Sequence, residues 1–104
     1  MIYRAKPKTK HVVDYLNETF DLNITTLMKG VPRDNDECAI ANTLKANGFT
    51  DVHVEMNRIF VHGVCYPTNR EVYEWISAFD VGRFKQFRET RHEEILRYYA
   101  GYNQ

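Results

Sequence analysis

His53, Glu55 and His62 are the residues of this chain with the most chemical reach. Val52, Val54 and Met56 alternate with His53 and Glu55, and Ile59 and Val61 alternate with Phe60 and His62. A period of two predicts two strands. With Asn57-Arg58 as the turn, Met56 faces Ile59, Val54 faces Val61 and Val52 faces Gly63, so the apolar partners share one side. The same register sets His53 directly opposite His62, with Glu55 beside them. Two cross-strand imidazoles and a carboxylate are ligands of the kind that zinc or nickel takes. A metal centre needs three or four donors, however, and the register sets no fourth donor beside these three. A polar outer sheet face is the simpler account, and no metal or other cofactor is expected.

Three other groupings invite the same scrutiny. Cys38 is predicted in the first turn of a helix, where the dipole lowers a thiol pKa. A nucleophile also needs a base and an oxyanion site, and nothing in the sequence places either, so Cys38 reads as a small buried hydrophobe. Asp34-Asn35-Asp36-Glu37 resembles a calcium loop only at a glance, because the glycine at position six and the glutamate at twelve are missing. Arg83, Phe84, Lys85, Phe87, Arg88 and Arg91 interleave cations with aromatic rings, a pattern suited to stacking on single-stranded nucleic acid. Asp80, Glu89 and Glu93 dilute that field, and a final strand with Phe residues inward and charges at the rim accounts for the same pattern. No catalytic residue is assigned.

The elements that must position these residues follow from spacing. A first helix is expected from about Lys10 to Phe20, capped by Thr9, with Val12, Val13, Leu16 and Phe20 as its buried stripe. Leu22 to Thr25 is short, alternating and partly β-branched, and predicts a strand; Leu27 and Met28 suggest a brief helical turn closed by Gly30. Asp34 and Glu37 have capping-box spacing, so a second helix is expected from Asp34, carrying Cys38, Ile40, Ala41 and Leu44 and ending at Gly48. Phe49 is expected to fold back on Leu44. Val64-Cys65-Tyr66 would extend the second hairpin strand until Pro67. Thr68 and Glu71 make another capping box, followed by Val72, Trp75, Ile76 and Phe79, the clearest helical stripe in the chain, closed by Gly82. Arg83 to Arg88 predicts a last strand, and a last helix runs from about Glu89 to Tyr99. The expected class is therefore α+β, a small sheet in the β-α-β-β-α-β (ferredoxin-like) order with extra N- and C-terminal helices.

Composition bounds the function. The 104 residues are expected to form a single domain, with residues 1–9 a basic arm, 22–88 the α+β core, and 89–104 a C-terminal helix and tail. Fourteen basic residues balance fourteen acidic ones, which argues against a general nucleic-acid coat or a membrane-surface protein. The N-terminus lacks the apolar stretch of a secretion signal, no run has membrane-spanning length, and Cys38 and Cys65 make no disulfide framework, so two reduced thiols in the cytoplasm are expected.

One block is familiar: Ile24-Thr25, Gly30 and Pro32, Cys38-Ala39-Ile40-Ala41, Val52-His53-Val54, then Trp75-Ile76 and Phe79-Asp80 with Gly82. Over roughly residues 24–88 it resembles small uncharacterised phage-encoded proteins, many from phages of actinobacteria, with a Cys-x-Ile-Ala and Phe-Asp-x-Gly pattern. The resemblance carries no activity and no site residue. It implies an accessory gene product acting inside a bacterial host cell, and with it a non-enzymatic protein that binds a host defence or regulatory factor, as an inhibitor of that factor for instance. Tyr and Arg dominate binding hot spots, so the expected partner surface is Tyr3, Arg4, Lys6, Lys8, Tyr98, Tyr99 and Tyr102. A nucleic-acid module using the basic arm and the Arg83–Arg91 segment is the alternative, and a metal-dependent enzyme through His53 and His62 a further one. Self-association through the same surface is open.

Overall fold

Val12, Val13 and Leu16 recur at helical spacing, and so do Val72, Trp75, Ile76 and Phe79; both stripes are buried. The computed structural model describes residues 7–89. Helix α1 spans Thr9–Phe20, α2 Ala39–Ala46 and α3 Arg70–Asp80. Strands β1 (Val52–Val54), β2 (Arg58–Val61) and β3 (Val64–Pro67) form one antiparallel sheet in the order β1-β2-β3. A 3₁₀ turn at Lys85–Phe87 follows α3. α1 packs on α3, and α2 packs on β1. Val52, Val54, Ile59 and Val61 point to one side of the sheet and join the helix stripes in a single core.

Trp75 is the centre of that core. It is 1% exposed, its ring stacks on Phe79 at 5.2 Å and on Phe84 at 5.0 Å, and its indole N–H donates to Thr9 Oγ1 at 3.2 Å. One side chain thus ties α3 to the start of α1 and to the chain that follows α3.

The α+β class holds, but the β-α-β-β-α-β order does not describe residues 7–89. Neither predicted flanking strand is a strand. At the end of α1, Asn17 donates from Nδ2 to the Ile24 carbonyl at 3.0 Å and accepts the Ile24 N–H at 2.9 Å. The backbone groups that a sheet would use are held by a helix side chain instead. Leu22 and Ile24 still pack on the core, so their alternation reports burial without a ladder. Leu27 is buried but makes no helical turn with Met28, whose N–H goes to Thr43 Oγ1 at 2.8 Å. After α3, Phe84 takes a positive φ of 58° and the 3₁₀ turn begins. Phe84 and Phe87 both lie against Trp75. Residues three apart fall on opposite faces of a strand but on one side of a 3₁₀ turn, so this packing selects the turn. Only Gly30 and Arg88 form a bridge here: the Gly30 N–H donates to the Phe87 carbonyl at 2.9 Å and the Glu89 N–H to the Gly30 carbonyl at 2.8 Å. Residues 90–104 and 1–6, with the expected C-terminal helix and most of the basic arm, lie outside the described residues.

Three starts and turns move as well. α2 begins at Ala39 with its cap at Cys38, four residues later than the expected cap at Asp34, because Asp34 Oδ1 accepts the Asp36 and Glu37 N–H groups in a turn of its own, both at 3.0 Å. Cys38 then serves as N-cap, its Sγ accepting from the Ala41 N–H at 3.4 Å. α1 starts after Lys8, with Thr9 as its first residue, and α3 is capped by Asn69, which accepts the Val72 N–H at 2.9 Å where Thr68 was expected. α2 ends before Gly48 as expected, with the Phe49 N–H on the Leu44 carbonyl at 3.2 Å.

The hairpin register is the largest local correction. Val52 pairs with Val61, His53 with Phe60 and Val54 with Ile59. The Glu55 N–H donates to the Arg58 carbonyl at 2.8 Å, so the turn residues are Met56-Asn57 and not Asn57-Arg58. Thr68 anchors that turn: its N–H donates to the Asn57 carbonyl at 3.0 Å and its hydroxyl to the Met56 carbonyl at 2.7 Å. A slip of two residues leaves every side chain on its expected face, so alternation alone cannot detect it. Residues 64–67 do not prolong the second strand but turn back as β3. The reversal is His62-Gly63, with φ of 51° and 77°, the two successive positive angles of a type I′ hairpin turn. Glycine takes such an angle without strain.

Candidate recognition surface

The sheet has helices on its inner side, and its outer side carries the residues with chemical reach. His53, Phe60 and Cys65 form a row across β1, β2 and β3. His53 Nδ1 faces Asp36 Oδ1 at 3.1 Å and His53 Nε2 faces Glu55 Oε2 at 3.3 Å. Glu55 also accepts from Arg58 Nε at 2.7 Å, and the Arg58 guanidinium lies 5.2 Å from the centre of the Phe60 ring. The Arg58 hydrogen bond, then its charge, hold the Glu55 carboxyl below the ordinary glutamate range, with His53 adding to the effect. These are exposed pairs, which set side-chain geometry more than they stabilise the fold.

The His53/Glu55/His62 metal grouping does not assemble. His62 sits in the β2–β3 turn beside Phe49, at 6.5 Å between ring centres, and Phe60 occupies the position opposite His53. The two His53 nitrogens face the carboxylates of Asp36 and Glu55 instead. Among the described residues no group of three or more His, Cys, Asp or Glu side chains could hold a metal ion.

Cys38 is 6% exposed, and burial pushes its thiol up to about 11 against the lowering effect of the Ala41 and Ile40 N–H groups. A helix start favours thiolate, but here desolvation wins. Cys38 and Cys65 are both free, the first buried and the second exposed.

Of the Arg83–Arg91 segment, Phe84 and Phe87 are half-buried and each turns its ring to Trp75. Arg83 and Lys85 are exposed, Arg88 is half-buried, and Arg91 lies outside the described residues. Of the expected partner surface, Tyr3, Arg4, Lys6, Tyr98, Tyr99 and Tyr102 also lie outside them; Lys8 is exposed and is the N-cap of α1.

Sequence spacing gave no hint of two hollows that the β1–β2 turn and α3 both line. The larger, about 710 Å³, is an open groove whose walls include Asn57, Thr68, Arg70, Tyr73, Glu74 and Ser77. Arg70 and Glu74 pair across one turn at 3.0 Å, and Tyr73 is 44% exposed. The smaller, about 240 Å³, has Cys38, Val54, Met56 and Ile76 as apolar lining, and Arg33, Asp34, Glu55 and Asp80 as charged lining. The adjacent turn residues Met56 and Asn57 contribute to one hollow each, so the turn is the ridge between them. Asp80 Oδ1 accepts the Arg33 N–H at 2.9 Å, which joins the loop before α2 to the end of α3 and closes one side of the smaller hollow.

No protein-family model, curated protein or solved structure matches the chain. No helix among the described residues is long and apolar enough to cross a membrane.

Proposed function

We propose that this chain is a small binding module that engages a partner protein without catalysing a reaction, and that the partner docks across the Met56-Asn57 ridge. The observation that carries this reading is the ridge itself. It holds an exposed Met56 at the smaller hollow, and its Asn57 shares the larger hollow with an exposed Tyr73 of α3. Methionine adapts its shape to a facing surface, and tyrosine covers a large area with few rotors while keeping a polar end. The resemblance to phage-encoded proteins supports a bacterial host factor as the partner and the host cytoplasm as the place of action.

The test is affinity capture from bacterial lysate, with and without nuclease, comparing wild type with Met56→Ala and Tyr73→Ala. Saturable capture of a defined protein that survives nuclease and weakens at least tenfold in either variant is the expected result. Capture that disappears on nuclease treatment, or that neither substitution alters, refutes the proposal.

A further inference from the structure

We infer that the smaller hollow is a recognition pocket for one cationic side chain, an arginine or lysine presented by the partner; this rests on the protein-binding reading above. Size is the first argument. Pockets for small-molecule ligands and cofactors run from about 300 to 1,000 Å³, and this one is about 240 Å³. It suits a single long side chain better than a cofactor.

The chemistry of the lining narrows the occupant. Met56, Ile76 and Val54 offer apolar surface for a methylene stem, and Asp34, Glu55 and Asp80 supply carboxylates. Lysine and arginine have that two-part character, an aliphatic stem and a charged head. The lining includes three carboxylates and one guanidinium, that of Arg33, and even with Arg58 counted against Glu55 it keeps a net negative charge in a chain whose formal charge is zero. Glu55 is engaged by Arg58, which leaves Asp34 and Asp80 as the principal acceptors. Each of these has Oδ1 committed to backbone N–H groups. The carboxylates are therefore held in place before anything binds, so little ordering cost remains at binding. A neutral apolar side chain would leave this charge uncompensated, and an acidic one would be repelled.

The experiment is an NMR titration of the full chain with N-acetyl-arginine amide, N-acetyl-lysine amide and N-acetyl-norleucine amide, read at the methyl groups of Val54, Met56 and Ile76. Saturable shifts confined to these groups are expected for arginine or lysine and not for norleucine, with affinity falling as salt is raised. Asp34→Asn and Asp80→Asn keep an oxygen acceptor for the same N–H groups, and the double variant is expected to stay folded and bind at least fivefold more weakly. Equal shifts from norleucine, equal shifts from calcium or magnesium ions, or undiminished binding by a folded double variant each overturn the pocket. Failure here with partner capture intact refutes the pocket alone; loss of nuclease-resistant capture refutes the wider reading.

Discussion

Native Cys38 is expected to resist thiol reagents that label Cys65 readily. Both are free, but Cys38 is buried at the N-cap of α2 and its thiol is pushed up to about 11 by desolvation. An ordinary thiol near 8.5 is about one-quarter thiolate at pH 8, whereas one at about 11 is ionised in roughly one molecule per thousand. Ionisation alone therefore slows Cys38 a few hundredfold, and burial slows it further. The same shift has a consequence for stability. A thiol pKa that is higher folded than unfolded favours the folded state fully below the unfolded value, near 8.5, and the benefit is lost as pH rises toward about 11. The loss is bounded at about 3 kcal/mol, since each unit of difference corresponds to about 1.4 kcal/mol. Mass spectrometry after brief alkylation should show one label, mapped to Cys65, and a second only on adding denaturant. Urea titrations from pH 8 to 11 should show a steeper decline for wild type than for Cys38→Ser, which keeps a cap but does not titrate. Native labelling of Cys38 within about tenfold of Cys65 would refute the buried cap and reopen a nucleophilic role.

Trp75→Ala should cost about 3–5 kcal/mol, and Trp75→Phe, which keeps most of the stacking but loses the bond to Thr9, about 1–2 kcal/mol; denaturant melts followed by circular dichroism decide both. Gly30→Ala should lower the melting temperature severely, because the added Cβ would meet backbone atoms of Cys38 and Ala39. Gly63→Val should cost at least about 1–2 kcal/mol from the left-handed turn position, while Gly63→Asn should be nearly neutral, as urea titrations would reveal. Asn17→Ala should destabilise by about 1–3 kcal/mol, since it leaves both Ile24 backbone groups without their partner.

The helix stripes were legible because burial and periodicity report the same thing. Val12, Val13, Leu16, Val72, Trp75, Ile76 and Phe79 all lie in the core where their spacing put them. Alternation was equally informative about faces and uninformative about pairing. His53, Glu55 and Phe60 stand on the outer face as expected, yet the register moved by two and the His53–His62 pairing vanished with it. The signal that could have found the correct topology was Gly63, because a histidine-glycine pair can take the two positive angles that turn β2 back into β3. The flanking strands failed for a different reason. Asn17 and Trp75 act over distances that no local pattern records, one taking the hydrogen bonds of Ile24 and the other gathering Phe84 and Phe87 onto one side. The hollows were the least legible feature, and the reason is the same. Arg33 and Asp34, Cys38, Val54 to Met56, and Ile76 with Asp80 come from four separate stretches. Each stretch reads alone as a cap, a strand end or a helix stripe. Their joint character, part apolar and part acidic, exists only after the Arg33–Asp80 bond and the Thr68 anchor have set the loop, the turn and α3 against one another.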